Sequence, residues 1–175
     1  KVDLPAPDIF FGNDKMEVTD TDIYKSEQVF TQGQMITVTG IDNLNEWWID
    51  PDFFEKQSDG ALKFLPINGD YRVTANAVLK YFSVMALKDG KPAKLQDDGT
   101  GAIWAIGKGI GKPSVTSSEV GWEPSKALCL AQVASKKYQL TLKAGETLKT
   151  SGDPEVISFK FFHQNDWGGE FGNYA

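Results

Sequence analysis

Apolar and polar residues alternate along this chain in short runs, with glycine- and asparagine-bearing turns between them, a pattern that predicts antiparallel strands and not helices. Gln34 to Thr39 alternates with Ile36 and Val38 inward. Tyr71, Val73 and Ala75 share one strand face, and Arg72, Thr74 and Asn76 the other. Tyr138, Leu140 and Leu142 repeat the arrangement, with Gln139, Thr141 and Lys143 facing away, and Ile157, Phe159 and Phe161 form a further inward row. Asn68-Gly69-Asp70, Asp89-Gly90, Asp98-Gly99-Thr100-Gly101 and Ser151-Gly152-Asp153-Pro154 supply residues that tolerate positive φ or tight reversal. Strands this closely spaced predict an all-β antiparallel sandwich. The best helical segment is Asp50 to Lys56, one or two turns long, with proline where a first turn accepts it and acids near the positive end of the helix dipole.

Sliding the chain against itself by 67 positions sets Ile36-Thr37-Val38-Thr39-Gly40 on Ile103-Trp104-Ala105-Ile106-Gly107, and Tyr71-Arg72-Val73-Thr74 on Tyr138-Gln139-Leu140-Thr141. A repeat of this kind divides the chain near Lys88 to Asp98, a charged, turn-rich stretch that also reads as a long surface hairpin. The expected organisation is an N-terminal β unit over 1–90, a boundary over 91–99 and a second β module over 100–175.

Composition narrows the partners. With 175 residues, 41% of them hydrophobic, the chain can bury a core, and 18 basic against 24 acidic residues leave a net charge of -6. That charge offers no field to hold a phosphate backbone, so nucleic acid is not an expected partner. Nor does any run approach the ~20 apolar residues of a transmembrane segment. The single cysteine, Cys129, sits in Ala127-Leu128-Cys129-Leu130-Ala131 and reads as a small buried hydrophobe. Opening at Lys1 without methionine, the chain reads as a mature or trimmed form, from which any export signal would have been lost with the missing segment, and Asn173-Tyr174-Ala175 reads as a truncation point.

Recognisable catalytic chemistry is sparse. A single histidine, His163, leaves out sites built on two or more imidazoles, and no Gly-x-Ser-x-Gly elbow occurs. By its place in the alternation His163 reads as a strand-end residue beside the site and not as a base. Gly107-Lys108-Gly109-Ile110-Gly111-Lys112-Pro113 resembles a phosphate loop, but proline stands where serine or threonine is needed and the spacing differs. Asp20-Thr21-Asp22, Asp50-Pro51-Asp52 and Asp97-Asp98 lack the full calcium-loop pattern and read as turns or caps, so neither metal nor cofactor is expected.

The distinctive feature is aromatic. Among five tryptophans, Trp104 alternates with Ala102 and Ile106 and reads as core. Trp47, Trp48, Trp122 and Trp167 instead lie in polar, loop-like surroundings. An indole face in water, rimmed by amide, carboxylate and lysine groups, suits a pyranose, whose C–H groups stack on the ring while the rim meets hydroxyls. If extended, the adjacent Trp47 and Trp48 point to opposite sides, so at most one joins a flat platform.

The series Ala102 to Gly107, Lys112-Pro113-Ser114, Val120-Gly121-Trp122, Ala127 to Leu130, Lys137 to Thr141 and Phe159-Lys160-Phe161-Phe162 resembles the immunoglobulin-like modules of the SusE and SusF outer-membrane glycan-binding lipoproteins of Bacteroidetes. The resemblance covers about residues 100 to 175, and Gly69 to Thr74 extends it weakly into the first half. It implies an immunoglobulin-like sandwich on a lipid-anchored protein of the outer-membrane surface, one that holds polysaccharide or oligosaccharide near a TonB-dependent importer. By position Trp122 is the best carry-over and Trp167 a second ring, with Lys108, Lys112, Asn165 and Asp166 as hydroxyl partners. Two further readings stand beside this one: a structural spacer or protein-docking module of a glycan-import complex, and a small glycoside-active enzyme with two facing carboxylates.

Overall fold

The computed structural model describes residues 5–150 and 157–171. The expected turn at Ser151 to Pro154 and the expectation placed on Asn173 to Ala175 lie outside the described residues. Among the described residues, regular structure is almost wholly strand, interrupted by one helical turn, Val115–Ser118, and two 3-10 turns, Leu44–Glu46 and Pro124–Lys126. The protein is all-β and sandwich-like, built from antiparallel sheets in two tandem units that divide after Val84.

The first unit is organised by strands Ile23–Phe30 and Gly69–Asn76, paired over their full length from Ile23 opposite Asn76 to Phe30 opposite Gly69. Tyr71, Val73 and Ala75 turn inward as their alternation requires. Small sheets close the core: Phe10–Phe11 pairs with Asp14–Lys15 and Val38–Thr39, while Leu62–Phe64 lies between Met35–Ile36 and Phe54–Lys56. Phe11, Phe30, Phe53, Phe54, Phe64 and Phe82 are all buried, each worth roughly 2–3 kcal/mol of transfer free energy. Their rings meet edge-on or tilted, as Phe11 and Phe82 do at 5.4 Å and Phe30 and Phe64 at 4.8 Å. One buried polar chain is satisfied internally: Ser26 Oγ donates to Asp14 Oδ2 at 2.6 Å, and Gln28 Nε2 donates to Ser26 Oγ and to the Phe11 carbonyl, both at 2.7 Å.

The expected helix at Asp50 to Lys56 is instead a single turn followed by a strand. Asp50 Oδ1 accepts the Asp52 N–H at 3.0 Å, and the Asp50 carbonyl accepts from Phe53 and Phe54. Phe54–Lys56 then extends to pair with Leu62–Phe64, setting Phe54 opposite Phe64. Burying Phe53 and Phe54 in one aromatic core outweighs the weak local preference for a second turn.

The second unit is built on the strand Trp104–Gly111. Glu119–Gly121 and then Leu128–Cys129 line one part of its pairing, with Gly107 opposite Gly121, Gly111 opposite Glu119 and Trp104 opposite Cys129. Ser158–Phe162 pairs with it from Lys108 opposite Ser158 to Trp104 opposite Phe162. Ala105, Ile106, Ile110, Val120, Leu128, Leu130 and Phe162 form the core, against which Tyr138, Leu140 and Leu142 pack half-buried. A second cluster holds Trp104, Ala93, Ala102 and Cys129, with the Trp104 indole N–H donating to the Ala93 carbonyl at 3.0 Å.

Two sequence expectations change here. In the row Ile157, Phe159, Phe161, the first and last are 42% and 37% exposed, and the buried ring is Phe162. Opposite the exposed Phe161 stands Ala105, which offers little bulk to cover that ring, whereas Phe159 packs half-buried against the core as expected. The proposed repeat is likewise absent from the topology, because Gly69–Asn76 is a long central strand whereas Lys137–Gln139 is a three-residue strand paired with Ala131–Ala134.

Candidate functional site

Strands Glu119–Gly121 and Ser158–Phe162 both run antiparallel to Trp104–Gly111, so both leave it toward its Trp104 end. The first continues into Trp122 and the turn Pro124–Lys126, and the second into the turn containing Trp167. That shared exit brings together two rings far apart in sequence: the Trp122 and Trp167 centroids lie 6.3 Å apart with planes 26° from parallel. Both stay open to solvent, at 38% and 48% of their surface. Trp167 also rests edge-on against the buried Phe162 at 5.9 Å, which ties the pair to the core.

The turns around the rings are fixed by their own side chains. Asp166 Oδ1 accepts the Trp167 N–H at 2.7 Å, and Gln164 Nε2 donates to the Trp167 carbonyl. The His163 N–H bonds the Gly169 carbonyl at 2.7 Å, closing the loop, while its ring packs on Phe171 at 4.3 Å. Beside Trp122, Lys126 Nζ lies 3.4 Å from Glu123 Oε2 in an exposed ion pair. The Asn165 Oδ1 is buried, with no hydrogen-bond partner among the described residues.

The remaining candidates fall elsewhere. Trp47 is only 8% exposed and packs on Phe82 at 4.5 Å, so its face belongs to the first unit's core and is withdrawn as a ligand platform. Trp48 points to the opposite side, half-buried against Tyr81 at 5.5 Å. Lys112 is 4% exposed and is likewise withdrawn as a rim group, since it directly follows the strand whose last residues are closed in by the Val115–Ser118 turn. Lys108 is exposed in the middle of that strand.

The glycine run Gly107-Lys108-Gly109-Ile110-Gly111 is strand and not an anion loop. A Cβ on Gly111 would lie 2.3 Å from the Ser118 carbonyl oxygen, so these glycines admit neighbouring backbone. Among the described residues no group of three or more His, Cys, Asp or Glu side chains converges on a metal position, and Asp50 and Asp52 are buried turn residues. No helix among them is long and apolar enough to cross a membrane. Residues missed at first are Gln164, Glu123 and Lys126; their proximity in sequence to Trp167 and Trp122 was the available signal.

Residues 4–95 match the family model described as Domain of unknown function (DUF5125), and residues 98–174 match the one described as Domain of unknown function (DUF5121). No curated protein and no solved structure matches the chain.

Proposed function

We propose that this chain, which belongs to the DUF5125 family, is a non-catalytic carbohydrate-binding protein whose second unit holds a glycan on Trp122 and Trp167. The observation that carries the reading is the meeting of two half-exposed, nearly parallel indoles from separate loops at one end of a sheet. Stacking against sugar C–H faces is what such rings do in water, and Asn165, Asp166 and the Glu123–Lys126 pair supply hydrogen-bonding groups at the rim. A single small platform binds weakly, and linkage to further modules raises its avidity. In line with the SusE and SusF resemblance, the reading sets the protein at the outer-membrane surface on a lipid anchor, delivering glycan to a TonB-dependent importer.

A second reading has its own observation: the rings contact each other and Phe162, as they would if they only capped the core of a spacer or docking module. Affinity electrophoresis against a polysaccharide panel, with intrinsic tryptophan fluorescence, separates the two. Retardation by a glycan, lost in folded Trp122→Ala or Trp167→Ala, supports binding. No retardation by any glycan, with rings shielded from a soluble quencher, sinks it in favour of the spacer.

A further inference from the structure

Resting on the glycan reading above, we infer that the Trp122–Trp167 site selects uncharged sugars and rejects uronic-acid and sulfated glycans. Recognition of a carboxylate or sulfate is served best by the planar guanidinium fork, and the chain's sole arginine, Arg72, lies in the first unit, 3.2 Å from Glu27. The second unit must rely on lysines, and those in the strand and loops that carry the two rings are committed. Lys126 pairs with Glu123 at 3.4 Å, and Lys160 with Glu170 at 3.0 Å. Two lysines against the four carboxylates of Glu119, Glu123, Asp166 and Glu170 leave two negative charges in excess. That excess stands at Glu119, whose Oε2 accepts the Gly109 N–H at 3.1 Å, and at Asp166, an exposed carboxylate one residue from the Trp167 ring and hydrogen-bonded to its backbone. The net charge of -6 adds a repulsive background for any polyanion.

Neutral sugars meet none of this repulsion. Their hydroxyls donate to the exposed Glu123 and Asp166 carboxylates, while the indoles take the apolar ring face. Lys108, exposed on the central strand with no ion pair among the described residues, is a cation through which an acidic glycan would gain a foothold, and Lys94, exposed beside the Leu95 N–H that meets the His163 carbonyl, is another.

The test is affinity electrophoresis of the full chain at low ionic strength in gels holding neutral glucan, mannan or xylan, polygalacturonate, or a sulfated galactan. The parent is run beside Glu123→Gln/Asp166→Asn and Lys108→Gln. Asp166→Asn keeps the oxygen that accepts the Trp167 N–H, and near-ultraviolet circular dichroism checks the fold. The expected result is retardation by a neutral glycan, with every acidic glycan at least about fivefold weaker, and an acidic-to-neutral affinity ratio that rises in the double variant. An acidic glycan bound as tightly as any neutral one, above all if Lys108→Gln abolishes it, overturns the inference while leaving the glycan reading intact. Absence of retardation by every glycan of both kinds overturns the glycan reading itself, and the inference with it.

Discussion

A Cβ placed on Gly107 would lie 2.3 Å from the Cα of Phe159, on a residue whose φ is +147°. The strand Ser158–Phe162, which launches the Trp167 loop, therefore approaches the central strand closely because Gly107 carries no side chain, as the start of Glu119–Gly121 does at Gly111. Gly107→Ala is expected to destabilise the second unit by about 3 kcal/mol or more, combining backbone strain with overpacking. Gly60→Ala, whose Cβ would meet nothing within 4 Å, serves as a reference at φ +88°, where only the conformational penalty applies. Urea unfolding of both variants measures the difference. Equal losses would mean that the strand approach at Gly107 contributes nothing.

Trp104 separates a core indole from the exposed pair. Replacing it with phenylalanine leaves the Ala93 carbonyl without the donor it now has at 3.0 Å and opens a small void, at a combined cost of about 2–4 kcal/mol. At a temperature where the variant remains folded, glycan retardation should be unchanged. Loss of retardation in a folded Trp104→Phe protein would place the site elsewhere than on Trp122 and Trp167.

How far the chain could be read in advance depends on what decides each residue's environment. The alternation at Tyr71, Val73 and Ala75 was legible because a central strand has one face on the core. At the strand ending in Phe162 the same logic holds for Phe159, half-buried on the core, but points the wrong way for Phe161, whose partner across the ladder is the small Ala105. Composition likewise could not tell Trp47 from Trp122. Polar neighbours surround both, but Trp47 extends from a 3-10 turn onto Phe82, whereas Trp122 follows Gly121, whose φ of +60° turns the chain away from the sheet. The meeting of Trp122 with Trp167 is set by strand direction, which no local pattern encodes.

Tyr138 makes the second unit sensitive to alkali. Its phenol donates to the Gly99 carbonyl at 2.9 Å, and burial, with smaller repulsions from Cys129 and Asp98, pushes its pKa up from 10.0 to about 12. Folding thus holds the proton more tightly than the unfolded chain does. The stabilisation is complete below pH ~10 and is lost as the pH rises toward 12, and partial exposure of the ring keeps it modest. Tyr138→Phe should be less stable than the parent at neutral pH and should lack this alkaline decline. Phenolate absorbance titration with unfolding at several pH values checks it, and parallel declines in both proteins would exclude Tyr138 as the cause.

The two exposed rings should behave as one unit in both stability and binding. At 6.3 Å and 26° the contact between Trp122 and Trp167 falls within the range where aromatic pairs contribute about 0.5–1.5 kcal/mol beyond area burial. A double-mutant cycle with Trp122→Ala and Trp167→Ala in urea unfolding should return a coupling energy of that size. In glycan binding the cycle should be strongly non-additive, because removing either ring leaves the other without the neighbour that orients it against the ligand and the Phe162 edge. Additive losses of binding would mean two independent half-sites, and coupling near zero in stability would mean that the loops are held apart from one another by their own turns.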